Sequence, residues 1–236
     1  MKGKLYMIPT LLAEGTEQTV IPLSVKESIR DISYFLCENV RTARRYISVL
    51  KVHDSIESLR FELLDKDTAE GDLEHLFIPV NEGQNAGVIS ESGCPGIADP
   101  GALAVAYAHR NHIDVIPLVG PSSLVLALMG SGLNGQQFAF HGYLPIDPKE
   151  ASKRIKTLEH ESREKNQTQL FIETPYRNQA LLGHLLKCLR PDTQLCIAIH
   201  LTSEKEKIVC QKVSQWHKQP VSFEKEPAVF LFLAAS

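Results

Sequence analysis

The stretch "VISESGCPGIADPG", residues 88–101, decides how the chain folds. Its first residues are β-prone or small and close a strand. A run of turn-forming residues follows: Gly93, Cys94-Pro95, Gly96 and Asp99-Pro100-Gly101, with carboxylates at Glu91 and Asp99. Gly93 and Gly96 permit backbone angles and close approaches that a Cβ would block. Asp99-Pro100 reads as a helix start, with Asp as the cap and Pro at the first helical position, where its missing N–H is of no consequence. An alanine-rich, helix-length segment (101–111) and a further strand, "DVIPLV" (114–119), come next. Strand, loop, helix and strand in this order imply parallel pairing through a crossover helix. In open α/β sheets, ligands bind beyond the carboxyl ends of strands, and this loop occupies such an end. The same residues would also make a plain, well-capped strand–helix connection, and both readings stand at this point.

Working outward, "KLYMIP" (4–9), "DISYFLCE" (31–38) and "AGVIS" (86–90) read as the strands before 114–119, so the first half reads as an open α/β sheet. "DKDTAEGD" (65–72) reads as a surface loop leading into a short helix. After residue 119 come a small-residue helix (122–131), a strand (137–142) and a charged, exposed helix (149–166). A strand (168–173) and a helix (178–189) with apolar residues at three/four spacing follow. Strands at 193–201, 207–213 and 228–235, with little helix between them, predict a mixed second sheet. The fold class is α/β, in two lobes, residues 1–118 and 119–236.

A length of 236 residues suits one large α/β domain or two small ones. With 43% hydrophobic and 22% charged residues, the composition is that of a soluble globular protein. A net charge of −3 gives no global basic field, so nucleic acid would have to be met by a local patch. No apolar run approaches ~18 residues, so no membrane span is expected. Met1-Lys2-Gly3-Lys4 leads into a strand-like run and not a signal-peptide core. Five cysteines (37, 94, 188, 196, 210) form no CxxC pair and read as free thiols of a cytoplasmic protein. His109 and His112 have no carboxylate at ligand spacing and read as a solvated helix end, so no metal site is expected.

The common nucleotide and hydrolase signatures are missing: GxGxxG after a strand, GxxxxGK[ST], HExxH and GxSxG. A second strand-end loop is present instead. In "LVGPSSLVLALMGSG" (118–132), Gly120-Pro121 turns the chain and Ser122-Ser123 opens a helix. Hydroxyls and unpaired N–H groups there suit a carboxylate or a ribose. Taken alone the second loop reads as a plain Ser-capped helix start; two such loops in the same half of the chain make a shared ligand cleft more credible.

"EGQNAGVISESGCPGIADPG", "IPLVGPSSLVLALMGSGL", "FAFHGYLP" and "LFIETPYR" occur in the order seen in the tetrapyrrole methylase superfamily. Over nearly its whole length the chain resembles, within it, the branch that methylates ribose 2′-hydroxyls of small-subunit (16S) ribosomal RNA. The resemblance implies S-adenosylmethionine (SAM) as methyl donor, bound folded between two α/β lobes, and a homodimer. It implies SAM contacts from Pro9, Ser90, Glu91, Ser92, Gly93, Pro95, Ile97, Ala98, Asp99, Ser122, Ser123, Phe140, Leu144 and Ala228. The chain departs from the pattern in places. The family's "TPIGNL" is "PTLLAEG" (9–15), "EDTR" is "ENVR" (38–41) and "SDAG" is "SESG" (90–93). An expected His-Asn pair is missing where the chain reads "ELLDKDTAEG" (62–71). "ES-x-HR" is "ETPYR" (173–177), and "ELTK" is "HLTS" (200–203). The SAM half matches more closely than the acceptor half.

Methyl transfer from a sulfonium needs no metal. It needs in-line placement of donor and acceptor, and a group to take the acceptor's proton. Glu38, Arg41, Glu173 and Arg177, retained in the acceptor-side motifs, are the catalytic candidates. Arg41, Arg44 and Arg45 fall on neighbouring faces of one predicted helix and suit phosphate contacts. The leading expectation is a ribosomal RNA ribose methyltransferase acting on the small subunit. A methyltransferase of a tetrapyrrole or other small molecule, and a non-catalytic SAM- or ribosome-binding relative, are the alternatives.

Overall fold

The structure, a computed structural model, describes residues 1–216 and 226–235; residues 217–225 and 236 of the expected second lobe lie outside the described residues. The chain divides into two compact units, Met1–Ser122 and Ser123–Ser236.

The first unit runs β1 (Leu5–Ile8), α1 (Glu17–Val20), α2 (Leu23–Arg30), β2 (Tyr34–Cys37), α3 (Val40–Leu50), β3 (Arg60–Leu63), α4 (Glu70–Leu76), α5 (Ile78–Asn81), β4 (Ala86–Ile89), α6 (Gly101–Arg110) and β5 (Val115–Pro117). Its sheet is parallel, in the order β3-β2-β4-β1-β5. β2 and β4 are buried at every position, as strands covered on both faces must be. One face packs Ile8, Phe35 and Ile89 against Val25 and Ile29 of α2 and Tyr46 and Ile47 of α3. The other packs Met7, Leu36 and Val88 against Leu73 of α4 and Ala104 and Tyr107 of α6. The chain leaves β2 towards β3 and leaves the adjacent β4 in the opposite direction towards β5. Divergence of this kind opens a crevice at the carboxyl ends of the strands, where ligands of such sheets bind.

β3 is a strand that the sequence reading did not contain. "RFEL" is half-buried or exposed throughout. It is an edge strand without the apolar run that marks the others.

The second unit runs α7 (Ser123–Ser131), β6 (Phe138–Tyr143), α8 (Pro148–Lys165), β7 (Thr168–Glu173), a 3-10 turn (Pro175–Arg177), α9 (Asn178–Cys188), β8 (Gln194–Ile199), β9 (Lys207–Lys212), α10 (Val213–Trp216) and β10 (Ala228–Leu233). Its sheet, β6-β7-β10-β8-β9, is mixed as expected: β6 and β7 are parallel and the other pairs antiparallel. α8 is not the wholly exposed helix that its charge suggested. Ala151, Ile155 and Leu158 form a buried face, and the charged residues occupy the rest of the turn. Phe171 stacks on Phe230 with centroids 5.9 Å apart at the centre of the core. Trp216, the chain's one tryptophan, is buried beside them and donates its indole N–H to Leu195 O at 3.0 Å.

Phe230→Ala should lower the stability of this unit by about 3–5 kcal/mol, as for other buried Phe truncations. Urea unfolding followed by Trp216 fluorescence reads it directly. A loss below about 1 kcal/mol would mean that the site collapses around the deletion.

Candidate functional site

Loops leave the carboxyl ends of β1, β4 and β5, three adjacent parallel strands, and are tied to one another. Thr10 N–H donates to Gly93 O at 2.8 Å, and the Thr10 hydroxyl reaches the same carbonyl at 3.3 Å. The Ser92 hydroxyl donates to Leu11 O (3.3 Å), and the Cys94 thiol to Pro121 O (3.4 Å). Gly120 lies against Pro9 so closely that a Cβ added to it would fall 2.0 Å from Pro9 Cβ. The Tyr46 hydroxyl donates to Pro9 O at 2.6 Å and anchors the first loop to α3.

Within the β4 loop, Gly93 (φ 74°), Gly96 (φ 83°) and Ala98 (φ 60°) all lie in the left-handed region. Ala98 adopts it at a strain of about 1–2 kcal/mol, and non-glycine strain of this kind clusters at functional sites. Asp99 holds the turn. Its Oδ1 accepts from Gly96 N–H (2.6 Å) and Gly101 N–H (2.7 Å). α6 begins at Gly101 with Pro100 in the cap position, one residue later than the sequence reading had it. Asp99 Oδ2 is buried and has no partner among the described residues. An acceptor left in that state favours a ligand that brings a donor.

Glu38, at the end of β2, is partly buried and shares a crevice with Leu64, Ser90, Asp99 and Pro100. Burial first, then the charges of Glu91, Asp99 and Asp65, raise its pKa above the ordinary glutamate range, against the pull of the Glu91 backbone N–H. The sequence reading missed Asp65, placing it in a surface loop; β3 delivers it to this end of the sheet.

The remaining predicted residues distribute as follows. Pro9 is buried; Glu91, Ser92, Ile97 and Ala98 are exposed, and Pro95 is half-buried, on the β4 loop. Ser122 and Ser123 fall on either side of the boundary between the units. Arg41 is exposed on the first turn of α3 and makes no ion pair with Glu38 among the described residues. Asn39 caps α3 by accepting from Arg41 N–H and Thr42 N–H. Of the basic cluster, Arg45 pairs with Glu14 at 3.1 Å, and Arg44 lies 5.4 Å over the Phe61 ring.

In the second unit, the Glu173 carboxylate is buried at the end of β7. It accepts from Thr174 N–H (2.7 Å) and lies 3.0 Å from an Arg177 nitrogen. Phe140 is half-buried on β6, whereas Leu144 and Ala228 pack into the core. Their side chains are therefore not presented to a ligand. A network that the sequence reading did not contain surrounds His141. Its Nε2–H donates to buried Gln169 Oε1 (2.6 Å), and its Nδ1 accepts from Arg154 (3.3 Å). This tautomer follows because the Gln169 amide nitrogen already donates to Gln167 O. Burial first, and the Arg154 charge with it, hold the imidazole pKa below its ordinary value despite the hydrogen bond it donates to Gln169. Its partners lie 13 and 28 residues away, and no local motif signals the contact.

All five cysteines are free. Among the described residues no cluster of metal-ligating side chains is present, and no helix is long and apolar enough to cross a membrane.

Comparison with known proteins first gives a class. A crystal structure of uroporphyrin-III-C-methyltransferase from Thermus thermophilus matches 99% of this chain and 93% of its own, with a TM-score of 0.56 at 18% identity. The fold is therefore that of the tetrapyrrole methylases. The sequence is similar to particular members. Proteins named ribosomal RNA small subunit methyltransferase I match it at 27% identity in Buchnera aphidicola subsp. Acyrthosiphon pisum (92% of this chain, 74% of the relative). The values are 29% in Synechocystis sp. (86% and 69%) and 28% in Escherichia coli O157:H7 (98% and 77%). No family model matches the chain. The resemblance drawn from the motifs thus holds over most of the chain.

A carboxyl whose pKa is higher in the folded than in the unfolded state binds more protons when folded. Its contribution to stability is present below the ordinary glutamate pKa and is lost as pH rises through the raised value. Ionised Glu38 therefore works against folding at neutral pH. Glu38→Gln should be more stable than the parent at pH 7, with the difference vanishing in acid. Thermal melts across that range read it, and a variant destabilised at pH 7 would contradict the assignment.

Proposed function

We propose that the chain is a SAM-dependent methyltransferase that modifies a ribose 2′-hydroxyl of small-subunit ribosomal RNA. The observation that carries this reading is the match, over 86–98% of the chain, to proteins named for that substrate. The first unit's site suits the donor. SAM is cationic at sulfur and at its amino group, and Glu38, Glu91 and Asp99 converge at one strand-end crevice. Asp99 Oδ2, buried and unpartnered among the described residues, would accept from a hydroxyl or ammonium. The backbone at Gly93, Gly96 and Ala98 turns without projecting long side chains, so a ligand would meet main-chain groups there. When bound, SAM supplies an activated methyl group and a sulfur leaving group.

The protein's own part is to hold, orient and deprotonate. Glu38, its pKa raised above the ordinary glutamate range, would take the 2′-hydroxyl proton as the oxygen–methyl bond forms. Glu173 fixes Arg177, whose remaining donors would face a phosphate. Two copies of the chain would associate: α7 is apolar nearly all round yet exposes Val125 and Met129, four residues apart. An acceptor on the ribosome would place the enzyme in the cytoplasm. A tetrapyrrole acceptor has only the fold in its favour.

In calorimetry, SAM should bind once per chain and more tightly as pH rises through the Glu38 pKa, because a cation favours the ionised carboxylate. S-adenosylhomocysteine, neutral at sulfur, should depend less on pH, and Glu38→Gln should flatten the SAM profile. Gly93→Val, which puts a β-branched residue where φ is 74°, should weaken SAM binding about tenfold or more. Methyl transfer to undermethylated small subunits, read by mass spectrometry of nuclease digests, tests the acceptor. No transfer by a preparation that binds SAM would remove ribosomal RNA from the proposal.

A further inference from the structure

We infer that the carboxyl end of β6 and the turn after β7 form a stacking platform for an unpaired nucleobase, with Tyr143 and Tyr176 supplying the aromatic faces. The inference rests on the reading of the acceptor as RNA and names the part of it that this unit would grip. β6 and β7 are parallel neighbours, so their loops emerge side by side. Phe140 pairs with Leu170 but Tyr143 with Ile172, so β6 carries one extra residue over this span, and Gly142 absorbs it at φ 63°. Irregularities of this kind re-aim side chains at sheet rims. Here Leu144 turns into the core at 4% exposure while Tyr143 is left 57% exposed.

The second loop is held rigid. Glu173 accepts from Thr174 N–H, Arg177 N–H donates to Thr174 O at 2.9 Å, and Pro175 fixes the start of the turn. On that braced turn Tyr176 is 77% exposed. Loops carry function when a rigid scaffold positions them, and a pre-ordered aromatic loses little entropy on binding. Arg177, adjacent in sequence, uses one nitrogen on Glu173 and keeps other donors for a phosphate. Aromatic faces beside a guanidinium match a base on its backbone. Sequence-specific RNA recognition is made of unstacked bases laid on aromatic side chains. A protein partner would be expected to cover an apolar surface larger than two rings and Ile146.

The test is a fluorescence titration of a short single-stranded RNA carrying 2-aminopurine, whose emission falls on stacking. The intact chain should bind and quench it. Tyr143→Ala and Tyr176→Ala should each bind about tenfold more weakly and lose the quench, as for removal of one stacked base. Tyr143→Phe and Tyr176→Phe should keep both, and calorimetric SAM binding should be unchanged in all four. Alanine variants that bind and quench like the parent would overturn the platform, as would a parent that does not bind the RNA. Tyrosine-dependent binding to intact small subunits but not to naked RNA would overturn it in favour of a ribosomal protein. RNA binding that depends on both tyrosines, without methyl transfer to small subunits, would leave the platform standing and defeat the proposed reaction alone.

Discussion

The first unit's site depends on one backbone contact, Thr10 N–H to Gly93 O at 2.8 Å. β1 and β4 are adjacent, and the chain leaves each across the other, β1 towards β2 and β4 towards β5, so their loops meet at the rim. The contact closes the rim, and the Thr10 hydroxyl on the same carbonyl reinforces it. Gly120 against Pro9 and the Cys94 thiol on Pro121 O bring in the loop after β5. The small residues of 88–101 follow from this closeness. Each loop must lie against the next with no side chain between, and Asp99 supplies the hydrogen bonds that a helix start and a sharp turn would otherwise lack.

Onto this frame the chain places a carboxylate, Glu38, that does not favour its own stability. Glu38 is partly buried with Glu91, Asp99 and Asp65 near it, and no cation is paired with it among the described residues. Folding would be easier with a neutral group there. Surface ion pairs such as Arg45–Glu14 are worth at most about 1 kcal/mol and constrain little, whereas an acidic crevice with an unpartnered Asp99 oxygen is a lasting liability. Such a feature is retained where a ligand offsets it. A cationic ligand does so electrostatically, and a hydroxyl or ammonium donor satisfies the free oxygen.

The fold was legible because strands buried on both faces leave continuous apolar runs, as in β2, β4 and β10, and because Gly, Pro and Asp punctuate the chain between strands. β3 was not legible, since an edge strand half-open to water needs no apolar run. With β3 unseen, Asp65 could not be placed near Glu38. The His141 network was hidden for a different reason: its partners converge only through the pairing of β6 with β7 and the packing of α8, which no short window contains. The roles assigned to Leu144 and Ala228 came from resemblance alone, and their side chains prove to be core.

The departures from the methylase pattern differ in physical weight. Asn39, where an Asp is usual, is the N-cap of α3. Capping requires one acceptor oxygen, which either residue supplies. What the change removes is a negative charge beside Glu38, so it leaves the helix intact and eases the crowding that raises the Glu38 pKa. Glu91 in place of Asp is exposed and gives its backbone N–H to Glu38, a contact independent of side-chain length. Tyr176, where His is usual, is of another kind. The turn that carries it is fixed by Glu173 and Arg177, which the pattern shares, and by Pro175, so the substitution alters what the turn presents. It exchanges an imidazole for a larger phenol ring on an exposed turn. Divergence of that form alters what a turn presents to solvent while its scaffold stays constant.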